Sequence, residues 1–158
     1  MASWGTCMRR LLLILALTGC ARAPRAPAAD PWALRSDEAL DQEITRARAE
    51  ARAGGRRVLL EFVAPWCDDC REMTRLEETA PAREVLARRY VRVRVNVGAF
   101  DRHTALLRRF GVTRIAHYVV LDPATGERVA QTTMEPITRH EPLSSARWAA
   151  WLEAPAGP

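Results

Sequence analysis

The chain contains no lysine; all 24 of its basic residues are arginine. They are not interleaved with aromatics into the kind of basic patch that reads nucleic acid, so nucleic acid is not an expected partner. No apolar run reaches the ~20 residues needed to cross a bilayer, and the stretch Leu11–Leu17 falls well short of it. Cysteine is scarce, with four in 158 residues, and only Cys67 and Cys70 stand at short spacing. A closed zinc site needs a second pair of cysteine or histidine ligands close together, and His103, His117 and His140 do not supply one. The composition is otherwise that of one domain with its own core, since 48% of the residues are apolar.

The N-terminus has a separate character. Met1–Arg10 ends in two arginines and leads into the short apolar run, the pattern of a signal peptide over residues 1–19. That segment closes on Leu17-Thr18-Gly19-Cys20, which resembles the lipobox of bacterial lipoproteins. The resemblance implies that Cys20 is lipidated, becomes the first residue of the mature chain and ties it to a membrane, where several acyl chains hold better than one. A plain secretory signal with an incidental cysteine is the alternative. Ala21, in place of aspartate, points to the outer membrane in a cell that has one. Residues 20–31 are rich in alanine and proline and read as a tether, which would lift the domain roughly 30 Å if extended at ~3.1 Å per residue. The folded domain is then expected over 32–153, with 154–158 as a tail. Removal of Arg9 and Arg10 lowers the net charge from +5 to +3.

Cleavage removes Cys7 and lipid occupies Cys20, which leaves Cys67 and Cys70 alone in the folded part. Export places them in an oxidising compartment, where an isolated pair implies a redox partner. Their setting is that of a redox device. The run Val58–Trp66 reads as a buried strand, and Cys67-Asp68-Asp69-Cys70 stands where a helix begins. Unpaired N–H groups and partial positive charge at a helix N-terminus stabilise a thiolate there, so Cys67 is the expected attacking sulfur. Cys70, one turn on, resolves the mixed disulfide.

Around this pair the spacing predicts further elements. Ser36 or Asp37 caps a helix with Leu40, Ile44 and Ala47 on one face, and Gly54-Gly55 ends it. A helix runs from Cys67 towards Leu76 and another from Pro81 to Arg88. Val91–Val97 alternates strictly as a strand. Asp101–Phe110 is a helix stopped by Gly111. His117–Leu121 and Glu127–Thr132 form a hairpin around the turn at 122–126, and Ser144 caps a last helix whose Trp148, Trp151 and Leu152 face the core.

The stretch Arg57–Cys70, an apolar strand with one acid leading into Trp-Cys-x-x-Cys, resembles the active-site segment of the thioredoxin superfamily. The order of elements from Trp32 to Glu153 agrees with it. The resemblance implies an α/β thioredoxin fold with a central mixed sheet of four strands flanked by helices, or of five if a short strand precedes the first helix near Trp32–Arg35. Without that strand the Val/Arg strand is an edge, which its arginines would protect. The long excursion over Glu72–Leu86 is closest to the periplasmic C-terminal domain of the transmembrane thiol–disulfide reductase and to small thioredoxin-like lipoproteins. Glu61, six residues before Cys67, stands where thioredoxins carry a buried acid that moves protons to the resolving thiol. Burial would raise its pKa into a useful range, and a salt-bridged residue is the alternative. The resemblance also implies that Pro65, Trp66 and the loop Ile115-Ala116-His117 stand where the family docks its partners.

One departure stands out: Ala116 replaces the cis-proline of the family, so this loop is expected either to be trans or to be held cis. An open loop beside His117 gives an alternative reading as a copper or zinc protein using Cys67, Cys70 and His117. His103 and His140 fall in expected surface segments. A third reading is a non-catalytic interaction module. The acids Asp68 and Asp69 repel a thiolate on Cys67, which favours the disulfide and a potential nearer the reducing value of about −270 mV than the oxidising −120 mV. The expected function is thus an exported, lipid-anchored, monomeric thiol–disulfide oxidoreductase, a reductant or relay fed by an upstream electron donor, acting on protein disulfides with no cofactor beyond its own cysteine pair.

Overall fold

The computed structural model describes Met1, Asp30, 32–134 and 142–156. Apart from Met1, the segment expected as a signal peptide, most of the expected tether with Cys20 and Ala21, and His140 lie outside the described residues. Helix α1 (Asp37–Ala53) starts at Ser36, whose hydroxyl accepts from the Ala39 N–H at 3.2 Å, and ends at Gly54. Its buried positions Leu40, Ala47 and Ala51 form one stripe. Strand β1 (Arg57–Val63) is buried at every position after Arg57, as expected of a strand covered on both faces. Then come α2 (Asp68–Glu77), α3 (Ala82–Arg89), β2 (Tyr90–Asn96), α4 (Thr104–Phe110), β3 (His117–Leu121), β4 (Arg128–Thr133) and α5 (Ser145–Glu153). None of the helices among the described residues is long and apolar enough to cross a membrane.

The four strands form a mixed sheet in the order β2-β1-β3-β4, with β1 parallel to β2 and the other pairs antiparallel. Period-2 alternation sorts their side chains into two cores. Leu59 and Val63 of β1, with Tyr118 and Val120 of β3, pack against α2, α3 and α5, where Trp148 is fully buried. Val58, Leu60 and Phe62, with Val93 and Val95 of β2, pack instead against α1 and α4. Each fully buried apolar side chain of this size contributes about 1.5–3 kcal/mol relative to exposure.

The fifth strand expected near Trp32–Arg35 is not formed. Its donors are committed elsewhere: the Trp32 N–H bonds Asp30 Oδ1 at 2.9 Å and the Ala33 N–H bonds Asp30 O at 3.1 Å, closing a turn. Side chains tie the segment to β2 in place of a ladder. Asn96 Nδ2 donates to Trp32 O at 2.7 Å and the Arg35 guanidinium to Arg94 O at 3.0 Å. Strand β2 is therefore an edge of the sheet.

Helix α4 also starts three residues later than the sequence predicts. Gly98, Phe100 and His103 all take positive φ, at 59°, 65° and 52°, so residues 98–103 form a tight loop before the helix can begin. His103 is not a surface residue: it is 6% exposed, and its Nδ1 lies 2.5 Å from Asp37 Oδ1 at the start of α1.

Candidate active site

Strand β1 runs out at Val63, the chain turns through Ala64-Pro65-Trp66, and Cys67 becomes the N-cap of α2 with extended φ and ψ of −88° and 112°. Its sulfur takes the place of a capping oxygen. Cys67 Sγ accepts the Cys70 N–H at 3.1 Å and is bonded to Cys70 Sγ in a disulfide, with the two Cα atoms 5.2 Å apart. The sequence-predicted pair is thus brought together at the head of one helix. The two sulfurs are not equivalent, since Cys67 retains 7% exposure and Cys70 only 1%. Cys67 is thus the more accessible of the two sulfurs.

The immediate surroundings are apolar and open on one side. Trp66 is 55% exposed, leans on Phe100 at 6.2 Å between ring centroids, and donates its indole N–H to Gly98 O at 2.8 Å. Arg71 braces the turn from below by donating to Pro65 O at 2.5 Å and to Asp68. Ala116 is buried in the same core cluster as both cysteines, Ile115 packs against that cluster, and the Ile115–Ala116 peptide bond is cis. Ile115 and Ala116 thus lie in the cluster that holds the pair, and Pro65 and Trp66 form the turn that leads into it.

His117 does not join them. It lies one residue along β3 from Ala116, so alternation turns it to the opposite face, where it meets Phe62 edge-on at 6.1 Å. Burial pushes its imidazole below the ordinary value, against an opposing pull from Gln131. The metal reading with Cys67, Cys70 and His117 fails on this geometry. Among the described residues, no group of three or more His, Cys, Asp or Glu side chains could hold a metal ion.

Glu61 also departs from expectation. It is buried to 1% on the redox side of β1, but the register sets it beside Arg94 of the edge strand. Arg92 and Arg94, which the sequence suggested as solvent-facing guards of that edge, fold inward over it. Arg92 donates to both Glu61 oxygens at 2.5 and 3.1 Å, and Arg94 donates to Oε2 at 2.8 Å. Burial alone would raise the pKa of Glu61; the two guanidiniums reverse the sign and hold it below 4.5. Glu61 is thus the salt-bridged alternative, buried rather than at the surface, and stays ionised.

The titratable carboxyl of this layer is one that the sequence reading passed over. Glu77, on the last turn of α2, is 2% exposed and receives bonds from Arg92 and from Arg94, the latter at 3.0 Å, through Oε2 only. Its Oε1 has no partner. Burial, together with the Glu61 carboxylate, pushes its pKa up to about 7 against the pull of the arginines. The signal for it existed, because Cys70, Met73 and Glu77 follow at i, i+3 and i+7 along the buried stripe of one helix.

The family model described as thioredoxin-like matches residues 39–123. Among solved structures, the chain is similar to the disulphide isomerase from Xylella fastidiosa Temecula1, with 22% identity, a TM-score of 0.67, and coverage of 80% of this chain and 97% of that one. The oxidised C-terminal domain of DsbD from Neisseria meningitidis follows with 23% identity, a TM-score of 0.56 and coverage of 77% and 97%. A thioredoxin from Thermus thermophilus has 26% identity, a TM-score of 0.50 and coverage of 68% and 77%. No curated protein sequence matches. With its fold, its vicinal disulfide and more than half of its length matched, the chain belongs to the thioredoxin-like family.

Proposed function

We propose that the protein is an exported, lipid-anchored thiol–disulfide oxidoreductase that works as a reductant or electron relay. The observation that carries the reading is the Cys67–Cys70 disulfide at the head of α2, with its outer sulfur next to an exposed indole. In the reduced protein the Cys67 thiolate attacks a partner disulfide, forming a mixed disulfide and releasing one partner thiolate. Cys70 then attacks the Cys67 sulfur, regenerating the internal disulfide and releasing the second partner thiol. Two electrons pass to the partner, and a donor dithiol restores the resting state by the reverse exchange. Arg92 and Arg94 lower the basicity of Glu61, so as an acceptor for the Cys70 proton it works as a carboxylate weaker than an unpaired one.

Export and anchoring rest on residues 1–31, and the reducing direction rests on Asp68 and Asp69 beside Cys67. Both acids are exposed, and Asp68 is paired with Arg71. Reduction of insulin, compared between wild type and Cys67→Ser, tests the activity; equal negligible rates would leave a non-catalytic interaction module. Equilibration with glutathione tests the direction, and a potential above about −180 mV, the value of disulfide isomerases, would overturn it. Mass spectrometry of the mature N-terminus of wild type and Cys20→Ala tests the anchor.

A further inference from the structure

Trp66 is the large exposed apolar side chain at the redox site, and its orientation is fixed by a chain of hydrogen bonds that leaves the site altogether. Its indole N–H donates to Gly98 O at 2.8 Å, and the Gly98 N–H donates to Asn96 Oδ1 at 3.0 Å. Asn96 Nδ2 in turn donates to Trp32 O at 2.7 Å. Asn96 is 3% exposed and pairs in register with Val63, four residues before Cys67. Alternation along β2 places it on the same side as Arg92 and Arg94, facing the redox core, against which Trp32 also packs.

The middle link has little freedom. Gly98 has φ +59°, and a Cβ there would fall 2.3 Å from Asp101 Oδ1, which itself accepts the Ala99 N–H at 2.9 Å. The carbonyl that receives the indole is therefore held by the loop on one side and by the Asn96 amide on the other. At the far end, the Asp30 turn fixes Trp32 where the tether enters the domain.

We propose that Asn96 is a positioning residue that couples the N-terminal segment at Trp32 to Trp66, and so sets how well protein disulfides dock at Cys67. The proposal deepens the oxidoreductase reading and rests on it for the docking step. A buried amide that bonds two separate segments transmits displacement of either, because leaving one of its groups unpaired costs more than moving the backbone that satisfies it. A small disulfide does not need the indole, whereas a folded or peptide disulfide meets it on the way to the sulfur.

The test compares two substrates and one readout free of turnover. In Asn96→Ala, KM for insulin should rise about threefold to tenfold with kcat little changed, and reaction with oxidised glutathione should stay within about twofold of wild type. The Trp66 indole N–H, followed by NMR in 15N-labelled protein and assigned by its loss in Trp66→Phe, should exchange with solvent at least about tenfold faster. Asn96→Asp keeps the acceptor for Gly98 and loses the donor to Trp32, so it should show a smaller rise of the same kind. It decides the matter should Asn96→Ala fail to fold. Unchanged indole exchange and unchanged KM would overturn the proposal, and so would equal losses on both disulfides, which mark a general packing role. If wild type reduces neither substrate, the oxidoreductase reading fails by itself, and indole exchange alone judges the coupling.

Discussion

At the N-terminal end of α2 a disulfide sits beside an exposed indole and two exposed carboxylates; ten residues further, at the C-terminal end, Glu77 is 2% exposed beneath Arg92 and Arg94. Both ends lie over the same face of the sheet. At the first, charge is left in water and the buried reactive group is neutral and covalently closed. At the second, Glu61 and Glu77 share two guanidiniums that hold them in place. Burying charges is costly unless they are paired; the two guanidiniums pair both oxygens of Glu61 but only one of Glu77, so the rear of the helix is held by ion pairs that can gain or lose a proton, while the front changes its covalent bonding.

Breaking the front should abolish activity and leave the fold. Cys67→Ser is expected to lower the insulin reduction rate by about a hundredfold or more, since a serine hydroxyl at neutral pH is a far weaker nucleophile than a thiolate. Cys70→Ser should accumulate mixed disulfides with partners, visible on non-reducing gels. Urea unfolding of the reduced wild type and of Cys67→Ser should give similar midpoints.

Breaking the rear should do the reverse. Arg92→Ala removes one of the two guanidiniums that contact both Glu61 and Glu77, leaving the buried carboxylates with Arg94 alone. Removing one partner from a buried charge cluster costs about 3–5 kcal/mol, a large share of a total stability of about 5–15 kcal/mol. The urea midpoint should fall accordingly, with little change in the redox potential. A loss of activity without a loss of stability would contradict the division between the two ends.

The same cluster has a pH signature of known sign. The Glu77 carboxyl rises from an ordinary 4.5 to about 7 on folding, so the folded state binds more protons than the unfolded one between those values. Stability contributed this way is full below 4.5 and is lost as pH rises towards 7, by at most about 3 kcal/mol. Glu61 is shifted downward, and its contribution is lost as pH falls below 4.5. The buried His117, whose imidazole is pushed below its ordinary value, opposes this term by adding stability as pH rises towards 6.5, so the Glu77 signature is read in the difference between wild type and Glu77→Gln. Wild type should lose stability relative to Glu77→Gln as pH rises from 5 to 7, and a difference that stays constant would show that Glu77 does not titrate there.

Most of the front was legible in the sequence. A buried strand, a turn and a helix cap are local events, and Cys67 and Cys70 fall on them by spacing, while Trp66 was marked by the resemblance to the thioredoxin segment. The rear depends on pairing between segments far apart in the chain. Alternation shows that Arg92 and Arg94 share a face, but their inward turn follows only from the register that sets Arg94 beside Glu61. His117 was open to the same local reasoning: counting alternate positions from Val119 and Leu121, which pack with Phe62, places it away from the cysteines. His103 was not, because its burial depends on left-handed backbone at a non-glycine residue and on Asp37 from another helix.

The finest test of the comparison concerns the exposed charges at the front. Asp68 has a side chain 89% exposed and already shares its charge with Arg71, so its repulsion of a Cys67 thiolate is weakened by both water and a cation. Asp69 is also exposed. Neutralising both, as Asp68→Asn with Asp69→Asn, should still stabilise the thiolate and with it the reduced form, raising the potential by about 10–30 mV, where 29.6 mV is a tenfold change in the exchange constant. Added salt should shrink the difference, because charges in water are screened within a Debye length of about 10 Å at 0.1 M. In the cluster behind the helix the carboxylates are buried while Arg92 keeps 29% exposure, so the stability loss of Arg92→Ala should depend on salt less than the front does, and that contrast separates the two ends of α2 by a single titration of sodium chloride.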